Sequence, residues 1–442
     1  MAQTTHEAEA PSVCDKCGLH VPRQDLLVRQ RRSFATKSRW FCPTCVAVRS
    51  QRRETINWVL MLLGVVALIV GGIWIAPELR QYGFSLAGYL AGTVIGIIIH
   101  EGAHALVAWA VGHRVWRIEL GVGKRWGGFA IGEVHVHLRR LPTMGFVISS
   151  PTQPRFSATR TAAVLIAGPL SNVLLAIAAI SLGAAFRGLE LIPSQVVYGF
   201  VMANLIMFAM NIWPREIQGG PLALKTDGAQ LLGLARDLGK THREQLPWMV
   251  PSIEIAERIA RDEDELALAA YEAAPLDGTE HTTMRINAMV VYTRLGQFSG
   301  AHAIGVELLE DDTIGPIARA LVLNNTAWAG LLDGQKDRAE VFARYMDFAL
   351  ETLPTNAALL GTRAACAIAM GDIEHGRELL EQSQTHDPDG GFREIYLAWL
   401  AAADMRQGHA EQAAENIAAA RALAASSREV DAIVKHYITA PG

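Results

Sequence analysis

The sequence predicts a mainly α-helical membrane protein with about four spans, a small β element, an N-terminal zinc ribbon and a C-terminal helical repeat domain. Three observations predict this architecture. Apolar stretches long enough to cross a bilayer lie between residues 56 and 213, two Cys-x-x-Cys pairs precede them, and a short motif recurs towards the C-terminus. With 442 residues, of which 50% are hydrophobic and 19% charged, the chain is long enough for several domains.

Residues 1–53 are predicted to form a cytoplasmic zinc-ribbon-like segment. Its two Cys-x-x-Cys pairs match a structural site with four thiolate ligands, namely Cys14, Cys17, Cys42 and Cys45. Two disulfides are the competing interpretation, but they need an oxidising compartment. The arginine-rich flanks of the segment indicate the cytoplasmic side of a membrane, where thiols stay reduced. Because lipid head groups and topology explain these arginines, no nucleic-acid partner is expected.

Residues 54–240 are predicted to form the membrane domain. Its apolar stretches give four spans, at about 56–76, 84–111, 161–186 and 195–213. A short link from Pro77 to Gly83 joins the first two spans. Arginine and lysine greatly outnumber acidic residues in the loop after the second span, whereas the two opposite loops carry one arginine each. The positive-inside rule therefore predicts that both termini lie in the cytoplasm. The membrane is expected to be a bacterial inner or plasma membrane.

The basic loop after the second span is predicted to contain one or two β-hairpins. Val134-His135-Val136-His137-Leu138 alternates with the period of a strand, and Gly127-Gly128 supplies turn chemistry. His135 and His137 would lie on one face of that strand. Ligands for a second metal are one interpretation of this pair. We prefer solvated polar positions at the membrane rim and leave both residues out of the site.

The second span carries the motif His100-Glu101-Gly102-Ala103-His104. On a helix the two histidines share one face and can reach a single zinc ion, with Glu101 beside the water that the zinc activates. By chance the pattern would occur in roughly one such chain in fifty. Its setting is more informative, because these three are the only histidine, acidic or basic residues between Phe84 and Val111. Each costs about 2.5 to 3.5 kcal/mol at mid-membrane, so their presence predicts a bound metal.

Polar residues in and after the later spans complete the candidate site. Asp227 follows the fourth span on the cytoplasmic side, where it could close a site of two histidines, one carboxylate and one water. Asn172 lies in the third span, and Asn204 and Asn211 lie in the fourth. Hydrogen bonding between helices is the structural interpretation of these asparagines. Gly168-Pro169 in the third span is predicted to open the helix and to allow close packing.

Taken together, these motifs resemble the site-2 protease family of intramembrane zinc metalloproteases. The resemblance covers about residues 84–232. It rests on four motifs in order, which are His100-Glu101-Gly102-Ala103-His104, Gly168-Pro169-Leu170-Ser171-Asn172, Asn211-x-x-Pro214 and Asp227-Gly228. One departure is that Arg215 to Thr226 is inserted between the proline and the aspartate, and that Thr226 replaces the leucine usual in the family.

The resemblance implies a mechanism and a substrate class. It implies that His100, His104 and Asp227 bind the catalytic zinc and that Glu101 acts as general base. It also implies cleavage of a transmembrane helix near the cytoplasmic face. Asn172 or Asn211 would hold the substrate backbone or the oxyanion.

Residues 241–442 are predicted to form a soluble helical repeat domain. A glycine followed five residues later by a small residue recurs about every 37 residues, at Gly296, Gly334, Gly371 and Gly408. This pattern resembles tetratricopeptide helix pairs, whose standard period is about 34. Such arrays present a concave surface to a protein or peptide partner. The alternative is an unrelated bundle of alanine-rich helices.

The sequence therefore predicts an intramembrane zinc endopeptidase with one catalytic and one structural Zn²⁺. Its substrate would be a membrane-anchored protein within the lipid bilayer, and its role regulated proteolysis. A catalytically silent membrane scaffold that recruits partners through its repeats and zinc ribbon is the alternative, against which the retention of Glu101 beside three metal ligands argues. A zinc transporter would need polar groups along several spans, and the first span and much of the third lack them.

Overall fold

The computed structural model describes residues 28–30, 39–41, 56, 59–68, 70, 77–153, 155–185, 193–218, 223–236, 239–274, 282–386 and 391–439. Over these residues the protein is mainly helical, with small antiparallel sheets. The chain divides into two compact units. The membrane unit is Arg49–Val250, and the C-terminal unit is Pro251–Gly442 together with Met1–Val48. The cysteines of the predicted zinc ribbon lie outside the described residues. Between the two cysteine pairs, strands β1 (Val28–Gln30) and β2 (Arg39–Phe41) form an antiparallel hairpin.

Within its described residues, the membrane unit contains three helices long and apolar enough to cross a bilayer. A shorter apolar helix precedes them. In chain order these helices are α1 (Val59–Leu68), α2 (Pro77–Ala110), α3 (Ser157–Ala185) and α4 (Ser194–Ile212). The three long helices coincide with the predicted spans 84–111, 161–186 and 195–213. Helix α1 lies inside the predicted first span, 56–76, which is described only in part.

Helix α2 begins at Pro77, so the residues predicted as a link from Pro77 to Gly83 are helical and continuous with the second span. Proline is favourable in the first turn of a helix, where its missing N–H group has no helical acceptor to lose. The residues that follow, Glu78-Leu79-Arg80-Gln81, are good helix formers. The segment therefore extends helix α2 by about two turns before Phe84.

Close backbone contacts hold the long helices together. A Cβ atom added to Gly88 on α2 would lie 2.0 Å from the carbonyl oxygen of Val196 on α4, and one added to Gly199 would lie 1.9 Å from the carbonyl oxygen of Ser85. Small residues thus let the two helices touch. Many large apolar side chains face outwards instead, including Ile98, Leu106, Trp109, Leu174 and Ile180. Small residues between the helices and large apolar residues on their outer faces are typical of helices packed within a lipid bilayer.

The predicted β element is a long bent hairpin after α2. Strands β3 (His113–Ile131) and β4 (Val134–Pro151) pair in several segments, so that residues 117–120 contact both 135–138 and 145–148. The order across the sheet is 125–131, 134–139, 113–122 and 145–151. Within the described part of the chain, segment 145–151 pairs on one side only. It therefore forms an edge of the sheet.

The prediction of a strand at Val134-His135-Val136-His137-Leu138 is confirmed, but that of a turn at Gly127-Gly128 is wrong. Both glycines lie within β3, and the turn falls at Gly132-Glu133. A Cβ atom added to Gly128 would lie 2.6 Å from the carbonyl oxygen of Val136. Glycine is needed there because two backbones approach closely, which is the other common reason for glycine in a strand.

His137 is not the solvated residue that the strand pattern predicts. Its Nδ1 lies 2.9 Å from Oε1 of the fully buried Glu119, and Arg139 donates its Nε–H to the other carboxylate oxygen at 2.7 Å. Burial alone raises the pKa of Glu119, but the hydrogen bonds from Arg139 and His137 outweigh it and lower that pKa. The three side chains join neighbouring segments of the sheet.

A small hairpin and several helices follow the membrane spans. They are β5 (Glu216–Gln218), β6 (Ala223–Lys225), α5 (Asp227–Arg236), α6 (Lys240–Ile259) and α7 (Asp264–Glu272). Then come α8 (Thr282–Arg294), α9 (Phe298–Leu309), α10 (Pro316–Leu332), α11 (Ala339–Thr352), α12 (Ala357–Met370), α13 (Ile373–His386), α14 (Arg393–Arg406), α15 (Ala410–Leu423) and α16 (Arg428–Ile433). A π-helical turn at Val434–Thr439 follows α16.

The recurring glycines mark turns between successive helices. One glycine ends the first helix of each pair α8–α9, α10–α11, α12–α13 and α14–α15. The four glycines have positive φ angles, of 77° at Gly296, 83° at Gly334, 93° at Gly371 and 81° at Gly408. This left-handed conformation is costly for other residues and typical of helix C-termini. The repeat period therefore follows from one tight turn per helix pair.

Candidate active site

The structure brings the three predicted metal ligands together. His100 and His104, one turn apart on α2, are buried, and their Nε2 atoms lie 3.1 Å from each other. Asp227, the first residue of α5, places Oδ2 3.3 Å from Nε2 of His100 and 3.4 Å from Nε2 of His104. Three potential ligand atoms thus converge on one point between α2 and α5.

These separations fit a tetrahedral zinc site. Zinc binds imidazole nitrogen and carboxylate oxygen at about 2.0–2.1 Å, which sets neighbouring ligand atoms about 3.3–3.4 Å apart. The observed separations of 3.1, 3.3 and 3.4 Å agree with this spacing. Two histidines and one carboxylate form the ligand set of many catalytic zinc sites, in which the fourth position serves water or substrate.

Two oxygen atoms from α3 orient the imidazole rings. Nδ1 of His100 lies 2.7 Å from Oδ1 of Asn172, and Nδ1 of His104 lies 2.6 Å from the carbonyl oxygen of Val164. Both partners are hydrogen-bond acceptors, so each histidine carries its proton on Nδ1. The lone pair of each Nε2 is therefore free for a metal ion, as in other histidine-ligated sites.

Asn172 is itself held by a second buried asparagine. Its Nδ2 donates to Oδ1 of Asn204 on α4 at 3.0 Å, and Nδ2 of Asn204 donates to the carbonyl oxygen of Phe200 at 2.9 Å. Both asparagines are fully buried. Sequence reasoning treats Asn204 only as a helix–helix contact. In the structure it fixes the amide that orients His100.

Helix α3 approaches the histidines closely at Gly168. Val164, Gly168 and Asn172 follow one another at intervals of one turn and so share one face of α3. A Cβ atom added to Gly168 would lie 2.2 Å from Nε2 of His104 and 2.6 Å from Nε2 of His100. Helix α3 continues through Pro169, so the glycine serves close packing against the site rather than an opening of the helix.

The insertion before Asp227 leaves that residue in place. Strands β5 and β6 of the insertion pair with each other, and beside this pairing the N–H of Thr226 donates to the carbonyl oxygen of Arg215 at 3.1 Å. The Thr226 hydroxyl donates to the carbonyl oxygen of Trp213 at 2.9 Å and accepts from the N–H of Ala229 at 3.3 Å. Thr226 thus caps α5 and ties its start to the end of α4.

Glu101 lies next to the edge of the β-sheet. It is buried, with 5% of its surface exposed. A Cβ atom added to Gly145 on β4 would lie 2.6 Å from Cγ and 2.9 Å from Oε1 of Glu101. Sequence reasoning missed Gly145, whose one signal is a glycine within a strand pattern. Its lack of a side chain lets the edge segment 145–151 reach the glutamate.

Asn211 is half-buried near the end of α4. Its Nδ2 donates to the carbonyl oxygen of Met207 in the preceding turn at 3.1 Å. The structure thus separates the two asparagines that the family resemblance groups together. Asn172 contacts a metal ligand, whereas the hydrogen bond of Asn211 stays within its own helix.

We expect Asn172→Ala to weaken zinc binding by about 10-fold to 100-fold, the usual effect of losing a partner that orients a histidine ligand. Zinc affinity is measured on the purified protein by competition with a chelator. Asn211→Ala is the matched control and should retain wild-type zinc affinity. If Asn172→Ala binds zinc normally but raises the KM for a substrate, Asn172 acts on the substrate and not on His100.

The fold and the site define a class of protein. Two histidines and an aspartate meet among apolar helices, with a buried glutamate beside the first histidine, as in a membrane metalloprotease. A model of peptidase family M50 matches residues 88–425, and the chain belongs to this family. It is therefore an integral membrane zinc metalloprotease of the site-2 protease kind. A comparison with curated proteins gives no match.

Proposed function

We propose that the protein is an intramembrane endopeptidase that cleaves a membrane-anchored protein near the cytoplasmic face. Cleavage would release a cytoplasmic fragment in regulated proteolysis. The convergence of His100, His104 and Asp227 next to Glu101, among helices with apolar outer faces, is the observation that carries this proposal. A peptide bond within the bilayer can reach such a site without leaving the apolar phase.

The chemistry follows from the arrangement of these residues. His100, His104 and Asp227 would hold the zinc ion, which when bound lowers the pKa of a coordinated water towards about 7 and polarises a carbonyl group. Glu101 takes the proton of the water as the water attacks the scissile carbonyl, and then returns this proton to the leaving amine. Asn172 and the carbonyl group of Val164 keep both imidazoles in the tautomer that presents Nε2.

The substrate helix must unwind before its peptide bond can react, because a helical carbonyl group is shielded by its own hydrogen bond. The edge segment 145–151 supports this step. It lies beside Glu101 at Gly145 and carries backbone groups suited to pair with an added strand. We assign the unwound substrate segment to this edge.

The function is tested by co-expressing the protein with a library of single-span membrane proteins. Substrates are those that yield a cytoplasmic fragment with the wild-type chain and remain intact with a Glu101 variant. If the wild-type chain and the Glu101 variant yield the same fragments from every member of the library, the result favours the catalytically silent scaffold instead.

We also propose four spans, the first at about 56–76, with both termini in the cytoplasm of a bacterial inner or plasma membrane. The arginine-rich loop after α2 supports this orientation. We therefore expect reporters placed at Thr4 and after Gly442 to read as cytoplasmic in an alkaline phosphatase and fluorescent protein assay. An external signal from either reporter contradicts the four-span topology.

A structural zinc site formed by Cys14, Cys17, Cys42 and Cys45 is part of the proposal. The wild-type protein should then contain two zinc ions per chain, whereas Asp227→Ala should contain one and should lose cleavage, because three-ligand sites release zinc when a ligand is removed. Metal content is measured by mass spectrometry of the purified protein.

Glu216→Ala is the control for the loss of a carboxylate. Glu216 is exposed on strand β5, in the insertion that precedes Asp227, and pairs with Lys225 at 3.7 Å. This variant should retain two zinc ions. A single zinc ion in the wild-type protein contradicts the structural site, and full zinc in Asp227→Ala shows that the third ligand lies elsewhere.

A further inference from the structure

The C-terminal unit contains a cavity that the protease chemistry does not use. Its volume is about 730 Å³, and its walls come mainly from α8, α10, α12, α14 and α16. Four of these helices are the first members of successive pairs, so the cavity lies on one face of the helical array. Arrays of this kind bind partners on such faces. The volume is typical of ligand-binding cavities.

The lining of the cavity favours a cation. Its aromatic residues are Trp328, Phe392, Tyr396 and Trp399. Its charged residues are four carboxylates and two guanidinium groups, namely Asp262, Asp264, Glu394, Glu429, Arg294 and Arg428. Arg294 pairs with Asp262 at 3.1 Å and with Asp264 at 3.4 Å. Arg294 is thus shared with the two aspartates, so formal negative charge is in excess near Glu394 and Glu429. Burial raises the pKa of the Glu429 carboxyl, and a cation bound beside it would favour the charged form. Aromatic faces beside carboxylates attract ammonium and guanidinium groups.

Trp328 and Glu429 are hydrogen-bonded to each other in the lining of this cavity. Nε1 of Trp328 donates to Oε1 of Glu429 at 2.7 Å, which fixes the indole and the carboxylate relative to each other. A carboxylate has two oxygen atoms, each with two acceptor positions. Glu429 therefore keeps acceptor capacity for a second, cationic donor.

Two residues of the lining each contain a buried polar atom of a kind that a peptide backbone can pair with. Asn324 is 7% exposed and Trp399 is 1% exposed. Among the described residues, Oδ1 of Asn324 and Nε1 of Trp399 have no hydrogen-bond partner. One is an acceptor and the other a donor, so together they complement the N–H and C=O groups of a polypeptide. Buried polar groups of folded proteins are rarely left unpaired, which points to a ligand.

We propose that this cavity binds an extended polypeptide segment that places a Lys or Arg side chain against Trp328 and Glu429. The backbone of the segment pairs with Asn324 and Trp399. The cationic side chain gives the interaction its charge preference, and the backbone contacts give it a preference for polypeptide over small cations.

The proposal is tested by fluorescence anisotropy on the purified full-length chain in detergent. The chain carries Glu101→Gln so that the peptide stays intact, and the readout is binding, which does not depend on proteolysis. The probe is a short labelled Gly-Ser peptide with two lysines, and its counterpart has glutamate in place of each lysine. We expect the lysine peptide to bind at least about tenfold more tightly than the glutamate peptide, with an affinity that falls as salt rises.

Two further substitutions on this chain locate the site. Glu429→Gln keeps the size of the side chain and an acceptor for Trp328 but removes the charge, and it should weaken binding of the lysine peptide about tenfold. Glu411→Gln makes the same charge change at an exposed position of α15 outside the cavity lining. It should leave the affinity unchanged.

Several results would overturn the proposal. They are no binding of the lysine peptide, equal binding of the two peptides, or an unchanged affinity in Glu429→Gln. Displacement of the peptide by free arginine at equal concentration would assign the cavity to small cations instead. Because the comparison of the two peptides leaves the cavity residues unaltered, it decides the charge preference even if Glu429→Gln fails to fold.

Discussion

We expect the Glu101→Gln variant to bind zinc like the wild type and to cleave its substrate about 10²-fold to 10⁴-fold more slowly, the usual loss on removing a general base. Glutamine has nearly the volume of glutamate, and it leaves His100, His104 and Asp227 unchanged. Its amide cannot accept the proton of the attacking water. Zinc content and cleavage rate are measured together in liposomes, so that loss of chemistry is separated from loss of metal.

Glu133→Gln is the matched control for this change. Glu133 is exposed in the turn between β3 and β4 and pairs with Arg114 at 3.0 Å. Removing its charge should change neither zinc content nor cleavage. A wild-type cleavage rate for Glu101→Gln contradicts the hydrolytic mechanism, and a loss of zinc in that variant means that Glu101 also supports the metal site.

Sequence reasoning found the parts of this protein that depend on local pattern. The motif at His100 to His104 depends on helical spacing, the three long apolar helices depend on hydropathy, and the turns at Gly296 and its equivalents depend on one residue type. Each of these features is determined by residues that are close together in the sequence. The position of Asp227 after the fourth span and the family resemblance both indicate it as a ligand, but its convergence on the two histidines depends on contacts between residues far apart in the chain.

The supporting contacts of the site could not be predicted, because each joins residues that are distant in sequence. Asn172 reaches His100 and Asn204 reaches Asn172 through packing of three helices. Thr226 differs from the family pattern, yet its hydroxyl bridges α4 and α5 and so helps to place Asp227. The sequence pattern shows that a polar residue lies in a span, but the packing of the helices determines which atoms that residue contacts.

The glycines show most clearly that one sequence pattern can correspond to two structural roles. Gly127-Gly128 has the composition of a turn, yet the structure uses Gly128 for close contact between strands. Gly168 and Gly145 likewise serve close approach, the first to the imidazoles and the second to Glu101. A missing side chain permits both a turn and a close contact. Only the neighbouring backbone decides between them.

We expect Gly168→Ala to abolish activity by reducing zinc binding at least about 100-fold, at the upper end of what distorted ligand support causes. The added methyl group would lie 2.2 Å from Nε2 of His104 and 2.6 Å from Nε2 of His100, much closer than van der Waals contact allows. These nitrogens are the atoms that would bind zinc. Either α3 or both rings must therefore move.

Neither movement preserves the site, because the same face of α3 also holds the rings. Val164 and Asn172, one turn before and one turn after Gly168, accept the Nδ1–H groups of the two histidines. If α3 withdraws, both hydrogen bonds break, and if the rings rotate, Nε2 no longer points to Asp227. Gly233→Ala on α5 is the control, since a Cβ atom there has no neighbour within 4 Å. Zinc content and cleavage should be normal in this control, and a Gly168→Ala variant that retains full zinc would show that α3 does not set the position of the histidines.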